Sequence, residues 1–240
     1  MDKIFFRRIL NLKSRNVVKM FTNTLIIGGI VGLITGIFVK TSEFANVLAP
    51  FDLKELFGLI IFFVGLGLVF SVVSQTGFFA YLFINRFGLS LFRSFWPSVQ
   101  VLLIIFVVFD LVYFSYNATD GEGSLLMYIL MAAAILGYGL IVARIKAKET
   151  NKSAFIPALF LMVVITTIEW VPGLRTSGTD YAWLMIMPLL ACNTYQLMAL
   201  HRLAEPNSKK TTSKKESVTS NSIKRKRQNK KSTQTSPSSK

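Results

Sequence analysis

A chain of 240 residues with 52% hydrophobic composition, 21 phenylalanines and a mean hydropathy of +0.51 has too little polar surface for an ordinary soluble domain. The formal net charge is +15, and nine of those charges belong to the last stretch, where residues 203 to 240 hold eleven Lys/Arg against Glu205 and Glu216. One cysteine, Cys192, excludes an intrachain disulfide, and one histidine, His201, excludes a His-rich metal set or a Ser-His-Asp arrangement.

The expected fold is an all-α integral membrane protein of six transmembrane helices, both termini cytoplasmic, with one cytoplasmic interfacial amphipathic helix and a disordered basic C-terminal tail. Residues 1–18 place Ile4, Phe5, Ile9 and Leu12 among Lys3, Arg7, Arg8, Lys13 and Arg15, a basic amphipathic leader suited to an anionic lipid surface. The apolar run from Thr24 to Val39 has no clear small-x-small cleavage site and reads as an uncleaved first span, about 19–39. Within it Gly28, Gly32 and Gly36 share one helix face, where another backbone can approach closely. Packing inside the bundle is the favoured use, over homodimerisation.

Residues 40–55, with Pro50 and charges of both signs, read as a loop, and a second span follows at about 56–74. A helix continuing to Asn85 would be about 45 Å long, more than the hydrocarbon core needs, which places a break near Gln75, Thr76 and Gly77. From Phe78 to Trp96, Arg86, Ser90, Arg93 and Ser94 recur opposite Phe79, Phe83, Phe87 and Leu91, the pattern of an interfacial amphipathic helix, with a short re-entrant element as the alternative. The third span, about 97–116, has only Ser98, Gln100, Asp110 and Ser115 as clearly polar residues. An acid at the depth of Asp110 costs roughly 2.5 to 3.5 kcal/mol on insertion scales, so it must face other helices, be paired or be protonated.

After a turn from Asn117 to Gly123 comes a fourth span, about 124–143, then a short basic loop with Arg144, Lys146, Lys148 and Lys152. The fifth span, about 154–171, ends in Glu169 and Trp170, and Pro172, Gly173, Ser177 and Gly178 mark a turn. The sixth, about 181–200, carries Asn193, Thr194 and Gln196. Residues 204–240, centred on KRKRQNKK, have too few apolar side chains to offset chain entropy; anionic lipid is their favoured partner, and no specific nucleic acid is expected. Only Lys40, Lys54 and Arg175 fall on one side of such a bundle, the other 24 of the 27 Lys/Arg on the opposite side, and the positive-inside bias then makes both termini cytoplasmic.

That orientation brings Asp110, Glu169, Arg175 and Asp180 to similar depth as a candidate intramembrane polar cluster, with Arg175 as the nearby cation. Arg86, Arg93 and Phe87 form a candidate cytoplasmic interface, while Gln100, Asn193 and Gln196 read as interhelical hydrogen-bond partners. No GxSxG, HExxH, GxxxxGK[ST] or paired-Glu protease pattern occurs, so no catalytic residue, metal or cofactor is expected.

The strings LKSRNVVKMF, SQTGFFAYLFINRFGLSLF and VQVLLIIFVVFDLVYF resemble those of the bacterial KinB-signalling pathway activation family, KbaA, and the resemblance covers about Leu12 to Leu203. It implies a six-span protein of the cytoplasmic membrane in endospore-forming bacteria, needed for a KinB-like membrane sensor histidine kinase to feed the sporulation phosphorelay. The family transfers no catalytic residues, and the leader MDKIFFRRILN and the basic tail depart from it. The first reading is therefore a non-enzymatic accessory that promotes kinase activation, by contact between helices or by affecting the kinase's assembly or signal input. A small transporter or ligand sensor using Asp110 and Glu169 is the alternative, and an insertase-like membrane chaperone with a ribosome-touching tail is the third.

Overall fold

The computed structural model describes residues 14–48, 52–117, 125–174 and 179–204, all of them in helices or the turns between helices. The expectations for the basic leader and the basic tail fall outside these residues. In chain order the helices are α1 (Ser14–Val39), α2 (Thr41–Leu48), α3 (Leu53–Phe92), α4 (Trp96–Asn117), α5 (Leu125–Glu149), α6 (Phe155–Phe160), α7 (Thr166–Leu174) and α8 (Thr179–Ala204). A π-helical turn, Leu161–Ile165, joins α6 to α7. Among the described residues five stretches are long and apolar enough to cross a membrane: Asn16–Val39, Leu53–Tyr113, Tyr128–Glu149, Lys152–Leu174 and Asp180–Leu200. The second is 61 residues long and takes in all of α3 and α4 as far as Tyr113. The architecture is all-helical and compatible with a membrane protein.

The largest correction concerns α3. No break occurs at Gln75–Gly77, and one helix of 40 residues runs from Leu53 to Phe92, capped at its start by the Asp52 carboxylate on the amides of Lys54 and Glu55. At 1.5 Å per residue this is about 60 Å, beyond the ~40–45 Å of a bilayer with its headgroups. The polar residues that suggested a break are used without one. The Gln75 amide reaches Phe21 O on α1 at 3.4 Å, and Thr76 bonds back to Val72 O at 3.0 Å. A single helical glycine costs only about 1 kcal/mol, which such packing outweighs.

The chain reverses after α3 at Arg93, whose φ of 47° is a left-handed value. Trp96 lies flat against Gly88, and its Nε1 donates to Asn85 Oδ1 at 2.8 Å, so the start of α4 folds back on the end of α3. Replacing Trp96 with Phe keeps the ring but removes the donor, and a loss of about 1 kcal/mol is expected, read as a drop of about 2–4 °C in thermal midpoint.

The region expected as a loop before α3 contains α2, because Phe44 and Val47, three residues apart, are buried, with Phe44 stacked on Phe63 of α3 at 5.6 Å. Helix α5 extends past Ala143 to Glu149. Lys146, expected in a basic loop, is buried and donates to Leu197 O of α8 at 2.6 Å. Likewise α7 continues through Pro172 to Leu174. So near a helix end, a proline denies the backbone only one hydrogen bond.

Gly28 and Gly32 of α1 lie against Gly67 of α3, and Gly36 lies under the Phe63 ring. The helix pair is thus held at backbone contact distance. Helix α8 occupies the centre, with Leu189, Cys192, Asn193 and Gln196 fully buried. One apolar cluster, with Phe70, Leu111, Ile135, Trp170, Met185 and Leu189 among its members, gathers α3, α4, α5 and α7 around α8. Asn23 near the start of α1 donates to the Tyr195 hydroxyl near the end of α8 at 2.9 Å, and Lys40 past the end of α1 pairs with Asp180 at the start of α8 at 2.9 Å. The two helices are therefore antiparallel, with the beginning of α1 and the end of α8 at the same end of the bundle.

Candidate functional site

Three helices each present two small or polar residues three positions apart to one interior point: Ser74 and Gly77 of α3, Thr166 and Glu169 of α7, Asn193 and Gln196 of α8. Residues three apart share a helix face, so each pair points one way. The π-helical turn before α7 widens the helix there, and Thr166 Oγ1 bonds across it to Leu161 O at 3.2 Å.

Asn193 sits in the middle. Its Nδ2 donates to Glu169 Oε2 at 2.7 Å and to Thr166 Oγ1 at 2.9 Å, while its Oδ1 accepts from the Ser74 hydroxyl at 2.8 Å. Gln196 Nε2 donates to Ser74 Oγ at 2.7 Å and more weakly to Cys192 O at 3.3 Å. Ser74, Thr166, Asn193 and Gln196 are wholly buried and Glu169 is 8% exposed. Gly77 completes the fit, since a Cβ there would overlap Glu169 Oε1. A second polar layer lies alongside, where the Cys192 thiol approaches Thr24 O of α1 at 3.6 Å.

Of the four residues expected to form one polar cluster, the three that are described, Asp110, Glu169 and Asp180, make no contact with one another. Glu169 belongs to the α3–α7–α8 centre. Asp180 is half-exposed and pairs with Lys40, and it precedes Asn193 by 13 residues, about 20 Å along α8. The hydrogen bond to Asp180, then its charge and that of Glu43, raise the Lys40 ammonium above its ordinary 10.5. A raised lysine pKa adds stability that is present below the ordinary value and lost as pH climbs through the raised one, so this tie holds throughout the neutral range. Asp110 is partly exposed on α4 and has no hydrogen-bond or ion-pair partner among the described residues. Arg175 lies outside the described residues. Arg86, Phe87 and Arg93 are exposed on the last turns of α3 and the turn after it. Gln100 is buried and reaches Asn85 Oδ1 at 3.4 Å.

An apolar groove of about 650 Å³ opens between α1 and α5 over α8, lined by Val31, Ile34, Phe38, Met131, Tyr138 and Met187 among others. Its two hydroxyls are satisfied internally, Thr35 on Val31 O at 2.8 Å and Tyr138 with Thr194 at 3.0 Å. Among the described residues no group of three or more His, Cys, Asp or Glu could hold a metal ion.

The sequence profile of the KbaA family, described as KinB-signalling pathway activation in sporulation, matches residues 28–203, about three-quarters of the chain. The chain belongs to the KbaA family. It is also 40% identical over 197 residues to the KinB-signaling pathway activation protein of Bacillus subtilis (strain 168), covering 80% of this chain and 99% of that relative. No solved structure matches. The KbaA match takes in every residue of the buried centre on α3, α7 and α8, and the Gly28 and Gly32 contact with Gly67. The signal that would have located the centre from sequence is the repeated i, i+3 pairing in three separate apolar runs, SxxG, TxxE and NxxQ.

Proposed function

We propose that this chain is a non-enzymatic, multi-pass protein of the cytoplasmic membrane that promotes activation of a KinB-like sensor histidine kinase, and through it the sporulation phosphorelay, by helix-to-helix contact. Membership of the KbaA family is the observation that carries this reading. Six crossings follow from taking α3 and α4 as two passes of the 61-residue stretch, and the basic excess at one end then makes both termini cytoplasmic.

The contact surface we assign is the far end of α3. Phe79, Phe83, Phe87 and Leu91, each four residues after the last, are 51, 70, 59 and 62% exposed, and exposed Arg86 and Arg93 flank them. An apolar stripe at this spacing is what a partner helix packs against, and the flanking guanidiniums suit the acidic lipid and carboxylate groups of a membrane's inner boundary. A double Phe83→Glu, Phe87→Glu substitution changes only exposed positions. It is expected to leave the protein inserted while lowering a phosphorelay reporter in sporulating cells about tenfold, the effect of losing about 1.4 kcal/mol of contact. A photocrosslinker at Phe87 is expected to capture the kinase. Full signalling by the double variant together with no captured kinase would sink the reading.

A further inference from the structure

The buried centre on α3, α7 and α8 has spent every hydrogen it owns. Asn193 Nδ2 uses one on Thr166 and one on Glu169, Gln196 Nε2 uses one on Ser74 and one on Cys192 O, the Ser74 hydroxyl donates to Asn193, and the Thr166 hydroxyl donates to Leu161 O. What is left over is lone pairs. Glu169 Oε1 and Gln196 Oε1 are both buried and accept no hydrogen bond among the described residues. Among the described residues an ionised carboxylate in such a place also has no ion-pair partner. The buried ammonium of Lys146 on α5 bonds Leu197 O, α3 offers Ser74 and Gly77, α1 offers Thr24, and the titratable group nearest on α8 is the Cys192 thiol.

The ligand that meets these conditions is positive, brings no lone pair, and carries one charge to match one carboxylate. We propose that the Ser74–Glu169–Asn193–Gln196 centre is a binding site for a small monovalent cation, anchored on Glu169 Oε1. Divalent and transition ions are disfavoured because Glu169 belongs to no group of three or more acidic, thiol or imidazole ligands among the described residues. A proton and a dehydrated sodium ion share the required chemistry. Either would fill the deficit on Oε1, and either would draw α7 toward α3, because Gly77 presents no side chain between them. This site shares no residue with the exposed α3 stripe, so the kinase-contact reading and the cation reading can fail separately.

The full chain in nanodiscs separates the two sources. One arm titrates sodium against choline at fixed pH and ionic strength, and the other varies pH in sodium-free choline. At about a hundredfold excess over half-saturation, the bound ion is expected to raise the thermal midpoint by about 5 to 10 °C. A response in the first arm identifies sodium; a response in the second alone identifies the proton. Glu169→Gln supplies its own amide hydrogens and is expected to abolish the response, whereas Asp180→Asn, at the exposed end of α8, keeps it. Should Glu169→Gln fail to fold, carbodiimide labelling of Glu169 in the unmodified protein, mapped by mass spectrometry, is expected to be blocked by sodium or to follow pH. A midpoint and a labelling rate indifferent to both ions, or a Glu169→Gln protein that responds like the parent, would overturn the proposal.

Discussion

Asn193→Leu is expected to be the most damaging single substitution in the bundle, costing about 3–5 kcal/mol. Asn193 joins all three helices of the centre, and removing its amide leaves Glu169 Oε2 without its donor and the Ser74 hydroxyl without its acceptor. The penalty is not the strength of the lost bonds, which is modest, but the cost of polar groups left buried and alone. In a chain of this size that corresponds to a fall of about 6 to 20 °C in thermal midpoint. The double variant Asn193→Leu, Glu169→Leu, which removes the acid together with its donor, is expected to recover much of the loss. A double variant as unstable as the sum of the two single ones would show that the residues act independently.

Gly67→Ala is expected to cost about 1–3 kcal/mol, the usual toll for overfilling a packed contact. A Cβ at Gly67 would run into the Gly28 carbonyl, and one at Gly32 would stand 2.5 Å from Gly67 Cα. These are backbone atoms, so no side chain can swing aside to make room. Between helices surrounded by lipid no hydrophobic force compensates for lost packing, which makes close approach the main source of attraction. Gly58 and Gly65 lie on the same helix with no neighbour within 4 Å of a would-be Cβ. Alanine at either is expected to be neutral or to stabilise by up to about 1 kcal/mol. Thermal midpoints of the three alanine variants, measured side by side, check the contrast.

The apolar runs, the glycine face of α1 and the family resemblance were all legible in the residues, because each is a local pattern. The interior contacts of Gly77 were not. A bilayer-thickness argument placed a chain break at Gln75–Gly77, whereas the physical reason for that glycine is a carboxylate 92 positions later in the chain that needs the space. The same holds for Glu169. Matching acids and a cation by their estimated depth grouped it with Asp110, Arg175 and Asp180, yet its partners are amides and hydroxyls chosen by helix rotation, which depth does not encode. The π-helical turn that sets the rotation of α7 has no sequence mark of its own. Lys146 misled for a simpler reason: a lysine stem can be buried while its ammonium finds a carbonyl, so a charge count reads as loop what is the last turns of a helix.

The unbroken length of α3 has a mechanical consequence. Gly77, which touches Glu169, and Phe92, at the exposed end, are 15 residues apart on one rigid rod, a lever arm of about 22 Å. A tilt of about 5° pivoting at Gly77 would sweep Phe92 through about 2 Å, enough to move the Phe83–Leu91 stripe across a neighbouring helix's ridge spacing in part. A hinge at Gln75–Gly77, had one existed, would have absorbed that motion.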